Sequence, residues 1–328
     1  MKSEELALFT LESGRAFAER VARGLGVELA QHEEREFEWG HHKIRPLESV
    51  RGRDVYVVCS LHGDSEHSVN DKLCRLLFFL GALRDASAGR VTAVVPFLCY
   101  SRKERKTKSR DPVTSRYIAG LFEAVGADRV VTLEVHNVAA FQNAFRCRTE
   151  HLEAHTLFAD YFSQNLATRS VAVVSPDVGG IKRAERYRLA LETRIGTEVV
   201  GAFLEKSRSD DVVSGSAVVG DVSNRSVILV DDMISGGTTI ARASKACCDA
   251  GARDVFAAAA HGVFTHAAGP ALAAAPIQRI VVLDHVPPQA LPSALVESKV
   301  EMLEGATLVA ESIRQMHTNG SLVEILAS

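Results

Sequence analysis

The sequence is short of several things, and each shortage excludes a class of protein. It has no surplus of charge, since 38 Lys and Arg against 41 Asp and Glu leave a formal net charge of -3. A general nucleic-acid binder carries a basic excess, so charge clusters here must be read locally. No apolar run is long enough to span a bilayer: the most apolar stretch, L-C-R-L-L-F-F-L-G-A-L at 73–83, is short and carries Arg75, which marks a buried helix. The opening residues M-K-S-E-E-L-A-L-F-T put acids ahead of any apolar run and lack the basic start of a signal peptide. Six cysteines, at 59, 74, 99, 147, 247 and 248, include neither a C-x-x-C pair nor zinc-like spacing. They are expected to be reduced core residues of a cytoplasmic protein with no membrane partner.

What is present is regular. With 46% hydrophobic residues, the 328-residue chain can bury a normal core in each half, and its length fits two domains of about 150 residues each. Short Val-, Ile- and Ala-rich runs recur at 55–60, 91–97, 130–135, 171–176, 227–232, 255–260 and 280–285, separated by amphipathic helical patterns. Unbroken apolar runs of this length suit strands covered on both faces, so the class is α/β with parallel sheets. The unit G-R-D-V-Y-V-V, loop, helix, A-S-A-G-R-V-T-A-V-V resembles N-R-S-V-I-L-V, loop, helix, D-A-G-A-R-D-V-F-A-A in the second half. Two copies of one domain are expected, 1–150 and 151–328.

Several stretches carry chemistry. V-I-L-V-D-D-M-I-S-G-G-T-T at 227–239 is a buried strand that ends in Asp231 and Asp232 and runs through a glycine turn into a helix. Ligands of open α/β sheets bind at such strand ends. Glycines that permit close approach, free N–H groups at a helix start and the Thr238 and Thr239 hydroxyls make a phosphate cradle, while the acids suit ribose hydroxyls or Mg²⁺. A solvated strand end before a capped turn is the plainer alternative. The segment at 99–116 gathers Arg102, Lys103, Arg105, Lys106, Lys108 and Arg110 against Glu104 and Asp111. Such a density of like charge favours a mobile loop closing over a polyanion, with a solvated loop or nucleic-acid patch as the alternative. Asp177 stands at another strand end, followed by Gly179, Gly180, Lys182 and Arg183; His136 ends the run V-V-T-L-E-V-H; Lys206 and Arg208 lie beside apolar sequence. A strand-end histidine on its own is more often a hydrogen-bonded structural residue than a metal ligand.

In this order the stretches resemble the ribose-phosphate pyrophosphokinase family, the phosphoribosyl pyrophosphate synthetases. The likeness rests on V-V-P-F-L-C-Y-S-R-K-E-R-K-T-K-S-R-D-P-V-T, G-A-D-R-V-V-T-L-E-V-H, V-V-S-P-D-V-G-G and V-I-L-V-D-D-M-I-S-G-G-T-T, and extends almost end to end. It implies two tandem phosphoribosyltransferase-type (type I) domains, each a mostly parallel sheet flanked by helices, with the active site between them and completed by a neighbouring subunit. The implied reaction moves the β,γ-diphosphoryl group of MgATP to the C1 hydroxyl of ribose 5-phosphate. By position, Asp231 and Asp232 are expected to bind the ribose hydroxyls, and Ser235, Gly236, Gly237, Thr238 and Thr239 the 5-phosphate. His136 and Asp177 take the place of Mg²⁺ ligands, Arg102, Lys103 and Arg105 that of the ATP-phosphate loop, and Lys206 and Arg208 that of the catalytic pair. Family members are usually homo-oligomers, dimers assembled into hexamers. Neither a nucleophilic triad nor a nucleic-acid partner is expected.

The sequence departs from the family at three places. The adenine-contacting segment, usually F-S-D-G-E, reads Phe37-Glu38-Trp39-Gly40-His41, which keeps Phe37 for ATP but puts Trp39 and His41 in place of two carboxylates. The phosphate loop has Gly236 where a threonine is usual. The stretch L-H-G-D-S-E-H-S at 61–68 is longer than its family counterpart and offers His62, Asp64, Glu66 and His67 as an extra metal site or a solvated loop. Three further readings stay open: a non-catalytic paralogue that regulates a true synthetase, a diphosphokinase of altered specificity, and a base-using phosphoribosyltransferase.

Overall fold

In a computed structural model, residues 5–209, 212–323 and 325 are described, with backbone alone at 206–209 and 212–216. They divide into two compact units, Met1–Glu153 with Ala306–Ser328, and Ala154–Gly305.

The first unit opens with β1 (Leu6–Thr10) and α1 (Arg15–Leu25), followed by a hairpin of β2 (His32–Glu36) and β3 (His42–Pro46). Then come β4 (Asp54–Val58), α2 (Val69–Asp85), β5 (Arg90–Val94), α3 (Thr114–Ala124), β6 (Arg129–Leu133), α4 (Val138–Ala144) and β7 (Arg148–Leu152). The sheet runs β1-β4-β5-β6-β7, all parallel, and Leu8 on the other edge of β1 bridges Leu29, also in parallel. β4 is buried at every position, as a strand covered on both faces must be.

The second unit holds α5 (His155–Leu166), β8 (Val171–Ser175), α6 (Ile181–Ile195), β9 (Val199–Ser209), β10 (Val212–Val219), β11 (Ser226–Met233) and α7 (Thr238–Asp249). It continues with β12 (Asp254–His261), α8 (Ala268–Ala274), β13 (Arg279–Leu283), α9 (Ser293–Lys299) and β14 (Val300–Leu303). Its sheet runs β10-β9-β8-β11-β12-β13-β14, with only the β10–β9 pair antiparallel. The order reverses between β8 and β11, so the topological switch point falls at the carboxyl ends of these two strands, and ligands of open α/β sheets bind in such crevices.

All seven apolar runs form strands. Sequence reasoning passed over β1 and β9, although L-A-L-F and V-V-G-A-F-L are apolar, and also the strands that lack such a run: the charged hairpin β2–β3, the edge strands β7 and β14, and β10, whose register on β9 shifts between Val213 and Ser216.

Residues 306–328, assigned by sequence to the second domain, belong to the first unit. Their helix α10 (Ala306–Thr318) lies on α1, where a Cβ on Gly24 would come within 2.8 Å of Ala310 Cβ, so glycine permits the approach. Arg314 Nη2 donates to Gly24 O at 2.5 Å, and His317 Nδ1 lies 2.8 Å from the fully buried Asp54 carboxylate.

The 61–68 insertion forms no metal site; among the described residues no group of three or more His, Cys, Asp or Glu could hold a metal ion. Instead Asp64 pairs at 2.5 Å with Lys72, whose side chain is fully buried, and Asp64 Oδ1 accepts the Glu66 and His67 N–H groups. Burial pushes the Asp64 carboxyl up, but Lys72 and the two N–H groups outweigh it and hold the group down to about 2. The pair therefore stabilises the fold above the ordinary carboxylate range and loses that contribution as pH falls through about 2.

Removing one partner of a buried pair strands the other charge. Asp64→Ala is expected to lower stability at neutral pH by about 3–5 kcal/mol, and Lys72→Met in the same chain to recover most of it. Urea unfolding followed by circular dichroism checks both; an unrecovered loss would mean that Asp64 acts through its turn and not through the ammonium.

Candidate functional site

The switch point of the second unit gathers the acids. β8 ends at Ser175, whose hydroxyl donates to Asp177 O at 2.6 Å, while Asp177 Oδ1 accepts the Gly180 N–H at 3.1 Å. This turn starts α6 and places Arg183 on its first turn, 8% exposed. On the neighbouring strand Asp231 is half-buried, Asp232 is 3% exposed, and Asp231 Oδ1 accepts the Asp232 N–H at 2.8 Å. Arg183 Nη1 stands 3.6 Å from Asp231 Oδ1 and 3.7 Å from Asp232 Oδ1. Burial first, and then the adjoining Asp232, push the Asp231 carboxyl well above the usual range, with Arg183 opposing.

Just beyond, residues 234–237 turn the chain into α7. The Ile234 N–H donates to His261 O, and the Thr265 N–H to Ser235 O, which fixes the loop on both sides. Gly237 is left-handed (φ 73°), and a Cβ there would lie 2.9 Å from Leu272 Cγ, so no other residue fits without strain. A Cβ on Gly236 would meet nothing within 4 Å. Thr238 and Thr239 are exposed, and the start of α7 at Gly237 has no side-chain cap. The helix start at the equivalent place in the first unit is closed: Ser68 and Asp71 form a capping box on α2. Only an uncapped helix start offers its N–H groups to an anion.

The first unit carries the basic loop between β5 and α3. Arg102 and Arg105 are exposed, as expected of side chains that reach for a polyanion. The loop is more ordered than its charge density suggests, because one acid organises it. Asp111 Oδ2 accepts from Lys103 Nζ at 2.9 Å, from the Thr107 hydroxyl at 2.6 Å, and from the Thr107 and Lys108 N–H groups at 3.1 Å each. These donors, the Thr107 hydroxyl foremost, hold the Asp111 carboxyl far below its ordinary range. Lys103 therefore spends its charge inside the loop. Sequence reasoning counted Asp111 only as a partial offset to the cations; its spacing from Thr107 and Lys108 was the available signal.

His136 is exposed just beyond β6, and the next residue, Asn137, donates to Glu104 Oε1 at 3.0 Å, so the loop and the histidine are tied together. Phe37 stands on a different element, the tip of the β2–β3 hairpin, with the Arg35 guanidinium 5.1 Å from its ring centroid. Beside it Trp39 is 94% exposed and left-handed (φ 70°). Lys206 and Arg208 lie on the β9 backbone opposite Ser216 and Val213, but their side chains fall outside the described residues.

Both units thus have the phosphoribosyltransferase-type α/β architecture. A sequence profile described as the N-terminal domain of ribose phosphate pyrophosphokinase matches residues 6–126, and one described as the phosphoribosyl synthetase-associated domain matches residues 205–326. The chain is 36% identical over 97% of its length to ribose-phosphate pyrophosphokinase 1 of Streptococcus pyogenes, covering 96% of that protein. It is 35% identical to the Streptococcus pneumoniae enzyme of the same name, covering 95% of it. The crystal structure of phosphoribosylpyrophosphate synthetase from Mycobacterium smegmatis superposes with a TM-score of 0.85 at 34% identity, over 97% of this chain and all of that one. The chain belongs to the ribose-phosphate pyrophosphokinase family of enzymes. Among the described residues no helix is long and apolar enough to cross a membrane.

The two loop glycines are expected to respond oppositely. Gly237→Ala forces a left-handed alanine against Leu272 and should cost roughly 1–3 kcal/mol. Gly236→Thr meets open space, should leave the melting temperature unchanged or slightly raised, and restores a hydroxyl to the cradle. Calorimetry checks the pair, and equal losses in both variants would show that the loop tolerates no side chain at all.

Proposed function

We propose that this protein transfers the diphosphoryl group of MgATP to the C1 hydroxyl of ribose 5-phosphate, releasing AMP and 5-phosphoribosyl 1-diphosphate. The observation that carries the proposal is the uncapped start of α7 directly after the Asp231–Asp232 pair, at the carboxyl end of β11. A sugar phosphate satisfies both features: its 5-phosphate takes the helix-start N–H groups and the threonine hydroxyls, and its adjacent ring hydroxyls donate to the two carboxylates.

The C1 hydroxyl oxygen then attacks the β-phosphorus of ATP, the bond from that phosphorus to the α,β-bridging oxygen breaks, and AMP leaves with that oxygen. The hydroxyl proton is lost to solvent. Phosphoryl-type transfer calls for alignment and charge neutralisation and needs no covalent help from the protein. Arg102 and Arg105 are assigned to the ATP phosphates, with Lys103 available if its pair with Asp111 opens. Lys206 and Arg208 are assigned to the transferring group. Phe37 is assigned to the base, next to Trp39 and His41, which make the choice of donor nucleotide part of the question.

His136 and Asp177 are assigned to Mg²⁺. The donor set fits: Mg²⁺ is commonly held by one or two protein groups together with substrate phosphates and water. Asp177 has a second oxygen beyond the one that Gly180 occupies, and His136 is exposed. Bound there, the ion would neutralise charge on the transferring group. A homo-oligomer is part of the proposal, supported by Tyr117 and Leu121, exposed one turn apart on α3.

The deciding assay follows AMP release from ribose 5-phosphate and MgATP, repeated with other nucleotide donors and sugar phosphates. AMP formed from ribose 5-phosphate supports the reading; no nucleotide monophosphate from any donor, together with tight binding to an active synthetase, would establish a regulatory paralogue instead. Lys206→Ala is expected to cut turnover by roughly a thousandfold or more with unchanged circular dichroism. Near-normal turnover would remove Lys206 from the transfer step.

A further inference from the structure

Two carboxylates at the end of one buried strand face a problem that ribose binding makes sharper. Ionised, each acid accepts from sugar hydroxyls on both oxygens and more strongly; protonated, it keeps an acceptor but turns one oxygen into a donor. Side by side and away from water, the two repel, and burial disfavours charge on both. Left alone, such a pair retains a proton at a pH where isolated carboxylates have lost theirs.

The cation that faces this pair is Arg183. It is 8% exposed, and a single nitrogen, Nη1, stands almost equally far from the two acids, at 3.6 Å and 3.7 Å. Both distances exceed a direct hydrogen bond. The arginine stands toward the pair as a charge set between its members. Its position is built in: Asp177 holds the Gly180 N–H where α6 begins, and a Cβ on Gly180 would fall 2.6 Å from Ser175 Oγ and 3.9 Å from Arg183 Nη1. Titratable groups on the elements packed against β11 include Asp177 in the turn before α6, Lys182, Arg186 and Tyr187 on α6, Arg242 and Lys245 on α7 and, from β12, His261, in register with Met233 and 2.8 Å from His285.

We propose that Arg183 is a positioning residue for sugar recognition: its charge favours the doubly ionised state of Asp231 and Asp232, in which the pair accepts hydrogen bonds from the two adjacent ribose hydroxyls. This rests on the assignment of ribose 5-phosphate to the site and adds a residue and a pH dependence to it. Burial and then Asp232 raise the Asp231 carboxyl, and Arg183 opposes that rise. A group whose charged form binds ligand loses affinity as pH falls through its raised value, so ribose 5-phosphate should bind more weakly on the acid side. Without Arg183 that loss moves toward alkaline pH.

The test is calorimetric titration of the full-length protein with ribose 5-phosphate from about pH 6 to about pH 9, a range that brackets a raised carboxylate. Wild type is compared with Arg183→Met and Arg183→Lys, and steady-state KM values are measured for both substrates. Arg183→Met should bind ribose 5-phosphate about tenfold more weakly at neutral pH, with its pH profile displaced by about one unit to the alkaline side. Its KM for ATP should stay within about twofold of wild type, since the charge acts on the sugar site. Arg183→Lys keeps the charge and should keep the wild-type profile; should the methionine variant fail to fold, a displaced profile in the lysine variant overturns the proposal by itself. A loss in Arg183→Met that is equal at every pH, or that raises both KM values together, would also overturn it by showing a structural role. If wild type binds no ribose 5-phosphate at any pH, the functional assignment fails and the role of Arg183 falls with it.

Discussion

Two carboxyl groups that cannot leave each other govern the second unit. Asp231 and Asp232 terminate a strand whose preceding residues are buried on both faces, so the chain cannot turn them out to bulk water without unpicking the sheet. Their tolerance of one another depends on what the neighbouring strand delivers. β8 lies beside β11, and its turn, fastened by Ser175 and Asp177, feeds a helix whose first turn carries Arg183. The reversal of strand order between β8 and β11 is what brings a turn from one strand and acids from the other to a single rim.

The same rim explains why only one of two related helix starts suits an anion. α2 and α7 each follow a central parallel strand, but α2 satisfies its own first N–H groups through Ser68 and Asp71, whereas α7 begins from a left-handed glycine that has no side chain to offer. In the first unit the corresponding loop is lengthened and closed by the buried Lys72–Asp64 pair. Two copies of one architecture have thus diverged at the level of capping. One helix start carries a capping box; the other has no side-chain cap.

How much of this was legible in the sequence depends on the range of the interaction. Strands buried on both faces announce themselves as unbroken apolar runs, and all seven runs singled out became strands; β2, β3, β7 and β14 stayed hidden because edges and hairpins mix polar and apolar residues, whereas the apolar starts of β1 and β9 were simply passed over. The acids, the glycine turn and the threonines were readable because strand, turn and helix start follow one another directly in the chain. Arg183 was visible as a cation entering a helix, but its placement between two acids about fifty residues away is a product of sheet order, which local pattern does not encode. Asp111 shows the opposite failure. Its partners are close in sequence, yet charge counting hid one carboxylate that accepts from four donors. The placement of α10 was also illegible, because an amphipathic helix does not state which sheet it will cover.

That last helix has a consequence for how the chain comes to be folded. Since the first unit takes residues from both sides of the second, the second is in effect an insertion, formed from one continuous stretch while the first must wait for its closing helix. On a ribosome the second unit could assemble while α1 still exposes the surface that α10 will cover and Asp54 still lacks His317. The late contact between Gly24 and Ala310 spans almost the whole chain, so it raises the contact order of the first unit alone and marks that unit as the slower to mature. A second unit complete before the first would be the ordinary condition of the nascent protein.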